Sequence, residues 1–592
     1  MRKKRLSPDT ASNWKDRLLP NFNPDTLDFD KSPWITVAFL ILTLVSFFIV
    51  LLRLVSLQIV RGSVNRNLAD GNRIQVKIIH APRGVIYDRN NKILAANSPA
   101  FRLFDPDTKK ARLVTREEAL ELEVKNAPPE ARLEVDNVRT YPYGEKLAHV
   151  LGYVGEISEE VLKDAKFADY RIGDRVGLSG IEAQYESVLR GKDGGEIIEV
   201  DSQNNKLRTL RKQAPSPGQN IYLNINASLQ EKVFEELSLA AQKAGSCCGA
   251  VIVQDPASGQ ILALVSLPSF DPNVFTKLQD EAQIREILDQ PDAPILNRAI
   301  AGVYPPGSTF KIISAIALLT SGKITSQTEF FDTGEIYLGA FRFSNWYFNQ
   351  YGKTEGQVNL VKALKRSTDT YFYRAAQIVG LDPLISWARK LRLGEKVGID
   401  IPAEVTGLVP DGTWKLQNKG EIWYPGDTLH LSIGQGFILT TPLQILNITS
   451  FVANNGVIFQ PRLLQSLKKE VLVKDVISPE QLNPIKQGLT QVTKAGGTAW
   501  PFFTFPIQTA GKTGTAEYGD PKGRTHAWYT AYAPADDPKI AMTVLIEGGG
   551  EGSSVAAPVI KETFRWFFSP DKNKLIQDVY TPATESGKTL GE

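Results

Sequence analysis

Cysteine is nearly absent. Only Cys247 and Cys248 occur among 592 residues, which excludes a small fold held together by a disulfide framework. Neighbouring Cα atoms lie about 3.8 Å apart, below the usual disulfide range of about 4.4–6.8 Å, so a bridge between the two is expected to be strained. They read instead as small buried residues leading into a strand. Histidine is scarce as well, with His80, His149, His430 and His526 far apart, so no HxxxH or HExxH metal spacing exists. The charge surplus is small, 68 Lys+Arg against 65 Asp+Glu for a formal +3, and gives no electrostatic reason to expect a nucleic-acid partner. Gly511-Lys512-Thr513 looks like the end of a phosphate-cradling loop, but Pro506 stands where that motif needs glycine. No GxSxG elbow occurs, which argues against an α/β-hydrolase. Low-complexity tracts and internal repeats are also missing.

What is present begins with one apolar stretch. Trp34 to Leu52 runs 19 residues without a charge between Lys31 and Arg53, and at 1.5 Å per residue spans about 28 Å, close to the hydrocarbon core of a bilayer. Thirty-three residues precede it, and Arg53-Leu54-Val55 rather than a small-residue cleavage site follows, so an uncleaved anchor is expected and not a signal peptide. The basic residues flanking it are balanced, but Arg2-Lys3-Lys4-Arg5 lean toward a cytoplasmic N-terminus. No second run of comparable length follows.

The remaining length exceeds what one core can fill, since cores stop growing near 250–300 residues. Short alternating strands are expected over 73–79, 84–87 and 93–95, with a charged, exposed lobe at 107–136. Pro215-Ser216-Pro217-Gly218-Gln219-Asn220 reads as a linker. Beyond it, strands at 220–225, 249–254 and 260–266 flank a helical pattern over 228–243, and alternating elements continue to about residue 570. The expected division is a tail at 1–33, a transmembrane helix at 34–54, a mostly-β domain at 55–220, a mixed α/β domain at 221–570 and a loose C-terminal tail at 571–592.

The chemistry is sought in Ser-x-x-Lys, which is common by chance: it occurs at Ser12/Lys15, Ser308/Lys311, Ser466/Lys469 and Ser569/Lys572. Only Ser308 has a telling context. Tyr304-Pro305-Pro306-Gly307 ends the preceding structure, and an apolar run from Ile312 to Leu319 can form a buried helix, placing Ser308 in its first turn and Lys311 one turn along the same face. A Lys held among apolar side chains loses stability as a cation and can act as general base for the hydroxyl. Ser367-Thr368-Asp369 and Lys512-Thr513-Gly514-Thr515 follow in that order.

These three elements resemble the S-x-x-K, S-D-N and K-T-G motifs of the penicillin-binding protein and serine β-lactamase superfamily. Asp369 departs from the pattern, because a carboxylate accepts but cannot donate an amide hydrogen bond to substrate. Asn72-Arg73, Ala81 to Asn90 and Leu94 to Asn97, then Arg139 to Pro142, Gly152 to Gly155, Gly177 to Glu182 and Leu189 to Gly191 resemble the pedestal blocks of the class B, high-molecular-mass branch. Gly426 to Gly436 with Thr441 to Gln444 resembles the stretch preceding the third motif, and the Ser-x-Asp variant with Lys512 to Glu517 and His526 is most similar to the elongation-type branch, penicillin-binding protein 2.

The resemblance implies an α/β (α+β) architecture: a single N-terminal transmembrane helix, an extended pedestal of the dimerisation type, and a transpeptidase domain with an antiparallel sheet flanked by helices. It implies a peptidoglycan D,D-transpeptidase in which Ser308 is the nucleophile, Lys311 the general base, Ser367 a proton relay, Asp369 part of the second motif and Lys512 an electrostatic group. Thr513, Gly514 and Thr515 would bind substrate, Gly514 by letting the strand approach it closely, and the backbone N–H groups of Ser308 and Thr515 would form the oxyanion hole. Implied partners are stem peptides as D-Ala-D-Ala donor and amine acceptor, β-lactams, and a SEDS-type glycan polymerase in the bacterial inner membrane, with the catalytic domain periplasmic. No cofactor is expected. Some members of the superfamily hold a metal between the first two motifs, but residues 312–366 contain neither Cys nor His. His430 and His526 read as structural, Ser432 to Gly436 as a packing loop beside the site, and residues 54–220 contain no acid pair suited to glycosyl transfer. Two other readings stand beside this one: a D,D-carboxypeptidase or β-lactamase, in which water resolves the acyl-enzyme, and a catalytically silent scaffold for wall synthesis.

Overall fold

The computed structural model describes residues 33–570 apart from 65–72, 105–110, 115, 125–131, 158–159, 169, 171–173, 202–205 and 277–280. The expected tails at 1–33 and 571–592 lie outside the described residues, save Pro33, which opens the first helix. Pro33–Val55 is an α-helix that continues through Ser56–Val60. Among the described residues it is the one helix long and apolar enough to cross a membrane, with mean hydropathy 3.0 and none of its apolar window buried. A helix that buries none of its apolar side chains against protein needs lipid around it, and this one fits a single-pass anchor.

The chain divides into two compact units: residues up to Lys77 together with Glu196–Lys212, and Ile78–Gly195 together with the chain from Gln213 onward. Beside the apolar helix, the first unit holds most of a three-stranded sheet made of Ile74–Ile79, Gly194–Val200 and Lys206–Gln213, with Gly194–Val200 in the middle. Every residue of its third strand is exposed, and Glu196 pairs with Lys206 at 3.2 Å and Lys212 at 3.1 Å.

In the second unit the expected strand at 93–95 extends to Ile93–Phe104, because the partner Arg132–Thr140 pairs with it over nine positions. The sequence blocks around Arg83, Arg139 and Glu182 meet in a buried ion cluster. Glu182 accepts from Arg83 Nη2 at 2.7 Å and from Arg139 Nε at 2.6 Å, and Arg139, 1% exposed, also donates to the Gly84 carbonyl. Burial pushes the Glu182 carboxyl up, but the two guanidiniums outweigh it and hold the group below its usual range.

The stretch expected as a linker is tied down. Gly218 N donates to Pro82 O and Gln219 N to Val188 O, after which Ile221–Tyr222 pairs in parallel with Ile86–Tyr87. One hydrophobic core therefore runs through residue 220, joining Ile86, Leu147 and Ile181 to Ile252, Ile316 and Leu446.

The central sheet consists of β1 (Gly249–Asp255), β2 (Gln260–Leu267), β3 (Ala510–Glu517), β4 (Thr525–Ala533) and β5 (Ile540–Ile546). Its order is β2-β1-β5-β4-β3, antiparallel throughout, so β3 is an edge. Val251, Val253, Val544 and Ile546 pack on one face against Leu229, Val233 and Leu237 of α1 (Ala227–Lys243) and Val559 and Ile560 of α5 (Ala557–Phe567). Ala250, Ile252 and Leu545 belong to the core that holds α2 (Lys311–Thr320), α3 (Asp369–Val379) and α4 (Pro442–Ala453). Nearly every residue of β1, β2 and β5 is buried, and because successive side chains alternate between faces, both faces of the sheet are covered by helices.

The cysteine expectation is corrected: Cys247 and Cys248 are joined as a disulfide, with Cα atoms 3.7 Å apart. Cys248 is buried, whereas Cys247 is exposed. The pair lies in the turn before β1, where Ser246 Oγ accepts from Cys248 N at 3.1 Å, outside the strand alternation that would send neighbouring side chains to opposite faces. The two sulfurs and an Asp292 carboxylate oxygen lie within 4.8 Å of one another, but bridged sulfurs are not thiolate ligands.

Candidate active site

Pro305 and Pro306 offer no backbone N–H to a ladder, and Gly307 adopts φ +52, so the chain turns sharply into a 3-10 segment, Gly307–Phe310, that leads into α2. Every residue from Lys311 to Leu318 is buried, so this helix is surrounded on all sides. Ser308 sits half-buried at the head of the helix and Lys311 is 0% exposed.

The Lys311 ammonium does not end in an apolar void. Its Nζ donates to Asp369 Oδ1 at 2.6 Å, to Ser367 O at 2.8 Å and to Ser367 Oγ at 3.2 Å. Burial lowers its pKa, and the Asp369 carboxylate opposes this only in part. Ser367 can offer carbonyl and hydroxyl to one ammonium because it ends the helix Leu360–Arg366 in the left-handed region, at φ +57. A non-glycine residue there is strained, commonly by about 1–3 kcal/mol, and such strain gathers at functional sites.

Asp369 opens α3 and is 8% exposed. Its second oxygen, Oδ2, accepts from Trp346 N at 3.1 Å. Both oxygens are thus engaged within the protein, and the carboxylate faces the Lys311 ammonium, where the sequence motif suggested contact with a substrate amide. Lys512 on β3 is 0% exposed and donates to Thr513 O at 3.1 Å. Burial and then the neighbouring Lys311 charge push its pKa well below the ordinary value, against the pull of Asp369.

Glycines set how closely these pieces approach. A Cβ on Gly514 would lie 3.0 Å from Trp528 Cβ and 3.1 Å from Thr309 Cγ2, so that position keeps β3 against β4 and the Ser308 turn. On Gly434, at φ +76, a Cβ would meet the Gly307 carbonyl oxygen at 2.1 Å, and the Gly434 carbonyl accepts from Gly307 N at 2.9 Å. The Ser432–Gly436 loop, expected to pack beside the site, thus buttresses the turn that carries the nucleophile candidate.

Thr513 is 7% exposed and shares a 2.7 Å hydroxyl contact with Thr498, a neighbour that no sequence motif flagged. Thr515 is exposed, and its Oγ1 accepts from Gly552 N at 3.4 Å. His526 stacks on Tyr518 with centroids 4.0 Å apart and accepts from Gly548 N through Nδ1 at 3.1 Å, and burial lowers its pKa to about 4. His430 packs at a tilt on Phe343, and burial lowers its pKa too.

A Ser at the head of a buried helix, a desolvated Lys one turn on, a strained Ser on that Lys and a second buried Lys on an edge strand define a serine acyl-transfer site of the penicillin-binding type. Comparison with known proteins supports that class. Residues 249–565 match the penicillin binding protein transpeptidase domain and residues 104–223 the penicillin-binding protein dimerisation domain. The peptidoglycan D,D-transpeptidase MrdA of Haemophilus influenzae is 33% identical over 584 residues, covering 87% of this chain and 88% of that protein. A complex of the penicillin-binding protein PBP2 with MreC from Helicobacter pylori aligns at TM-score 0.74 and 29% identity, covering 83% of this chain and 99% of that one. A chain in a peptidoglycan synthase complex that coordinates polymerization and crosslinking aligns at TM-score 0.71 and 30% identity, covering 90% and 98%. This chain belongs to the penicillin-binding protein transpeptidase family, on the PBP2 (MrdA) branch.

Proposed function

We propose that this chain is a peptidoglycan D,D-transpeptidase of cell-wall elongation, acylated at Ser308. Ser308 Oγ attacks the carbonyl between the two D-alanines of a stem peptide, its proton passes to Lys311, and terminal D-alanine leaves with a proton relayed through Ser367. The amine of a second stem peptide then attacks the ester carbonyl, freeing Ser308 and forming the cross-link. Backbone N–H groups of Ser308 and Thr515 would stabilise the tetrahedral oxyanion, a contribution of about 2.7–4 kcal/mol per donor in comparable sites. Lys512, with the Thr513 and Thr515 hydroxyls, would hold the terminal carboxylate, and the free edge of β3 would pair with the extended peptide. β-Lactams would acylate Ser308 as slow-leaving analogues.

The observation that carries this reading is Lys311, wholly buried and bonded to Ser367 and Asp369. A lysine used only for packing would snorkel to water; one kept in the interior with a lowered pKa is suited to proton transfer. The basic Arg2-Lys3-Lys4-Arg5 ahead of the anchor helix lead us to place the N-terminus in the cytoplasm, and the pedestal at 55–220 and the transpeptidase domain at 221–570 outside it. A SEDS-type polymerase is the proposed membrane partner.

Incubation with fluorescent penicillin tests the reading. Lasting label on the wild type, absent from Ser308→Ala, is the expected result. No label on either refutes acylation at Ser308, and label that disappears rapidly points to hydrolysis of the acyl-enzyme.

A further inference from the structure

The second motif is held from behind by a buried carboxylate that no motif contains. Asp332, 2% exposed, ends the short strand Phe330–Asp332. Its Oδ1 accepts from Gly334 N at 2.9 Å and Thr370 Oγ1 at 2.7 Å, and its Oδ2 from Glu355 N at 2.8 Å and Asn345 Nδ2 at 3.3 Å. Among the described residues no ion pair involves Asp332. A buried carboxylate without a counter-cation is tolerated only when donors surround it, and here four do.

Two of those donors belong to groups that frame Asp369. Thr370 follows Asp369 in the first turn of α3. Asn345, 0% exposed, gives its Nδ2 to Asp332 and with Oδ1 accepts from Asp369 N at 3.1 Å. An amide that donates to a charged oxygen is polarised, which makes its own oxygen the stronger acceptor. The next residue, Trp346, donates its backbone N–H to Asp369 Oδ2 and its indole N–H to Arg366 O at 3.0 Å, just ahead of Ser367.

We propose that Asp332 is a positioning residue for the acyl-transfer site, acting through Asn345 and Thr370 to aim the Asp369 carboxylate at Lys311. The inference rests on Ser308 and Lys311 being the acylation pair. An Asp in the second motif makes such a clamp necessary: a carboxylate able to swing toward Lys512 would leave Lys311, whereas one bonded at both its backbone N–H and its far oxygen cannot.

The test is the second-order rate of acylation of the full-length protein by fluorescent penicillin. Asp332→Asn replaces one acceptor by a donor and is expected to slow acylation about 10- to 100-fold, the usual effect of small misplacements in an active site. Thr370→Val, close in shape, guards against a folding defect in the first variant and removes one neutral-to-charged hydrogen bond, for a loss of about 3- to 10-fold; Thr370→Ser should restore the rate. In an Asp369→Asn background the Thr370→Val loss should shrink below about twofold, because the group being aimed has lost its charge. A purely structural role predicts losses that multiply instead. Wild-type rates in Asp332→Asn and Thr370→Val, or multiplying losses, overturn the proposal while label still depends on Ser308. Label that survives Ser308→Ala overturns the acylation reading and this inference with it.

Discussion

Asp369→Asn is the most informative single change, because it restores the usual amide in the second motif and removes the one negative charge that Lys311 touches. The geometry sets the size of the effect. Asp369 Oδ1 lies 2.6 Å from Lys311 Nζ, and Lys311 is wholly buried. An amide oxygen can still accept at that place, so the hydrogen bond is weakened rather than lost. The ammonium keeps a charge-assisted bond but loses the attraction of the opposite charge, which at the lower end for such close pairs favours the ammonium over the amine by about 1.4 kcal/mol. At 1.36 kcal/mol per factor of ten, the amine-to-ammonium ratio rises about tenfold at any given acid pH. The direction follows from the causes: burial lowers the Lys311 pKa, Asp369 partly restores it, and removing Asp369 lowers it again. Acylation rates by fluorescent penicillin, measured from mildly acid to mildly alkaline buffers, should therefore show the acid limb displaced to lower pH. The plateau should fall several-fold, since a weaker base takes the Ser308 proton less readily. An acid limb that stays in place, or moves to higher pH, would refute the coupling of Asp369 to Lys311.

Three further outcomes follow from the same geometry. Gly434→Ala should reduce acylation by about two orders of magnitude with Ser308 and Lys311 intact, because its methyl group displaces the Gly307 carbonyl; a wild-type rate would show that the turn yields freely. Glu182→Gln leaves Arg139 buried without an anion and should cost about 3–5 kcal/mol in urea unfolding at neutral pH. Because the folded Glu182 pKa is depressed, that advantage of the wild type exists above the unfolded carboxyl pKa and should fade as pH falls through the folded one. In cells whose outer layers are opened, protease should remove a tag at the C-terminus and spare one at the N-terminus, and the reverse pattern would invert the proposed topology.

The parts of this protein that were legible in its sequence are those set by local chemistry. Nineteen uncharged, mostly apolar residues in a row can satisfy their backbone in a bilayer only as a helix, whatever follows them, and the apolar helix at 33–60 covers them. Pro305-Pro306-Gly307 before an apolar run specifies a turn and a buried helix, which places Ser308 and a desolvated Lys311. The antiparallel sheet was expected only from the family resemblance of the three motifs, and the strand pairing bears it out.

Tertiary structure alone decided what each polar group meets. Asp332, Asn345 and Asp369 are spread over some forty residues of ordinary composition, and nothing in their spacing reveals a shared hydrogen-bond network. Arg83, Arg139 and Glu182 stand in separate blocks, and only the folded chain shows that they form one buried ion cluster. Which partner Asp369 takes was open for the same reason: a motif shows which functional groups are present, not which way they point. Even neighbours escaped local reasoning, since Cys247 and Cys248 are bridged in a turn where strand alternation does not apply. Local patterns are dictated by backbone geometry and solvent. The partners of a buried charge depend on which distant segments the core brings beside it, and that is determined only when the chain has packed.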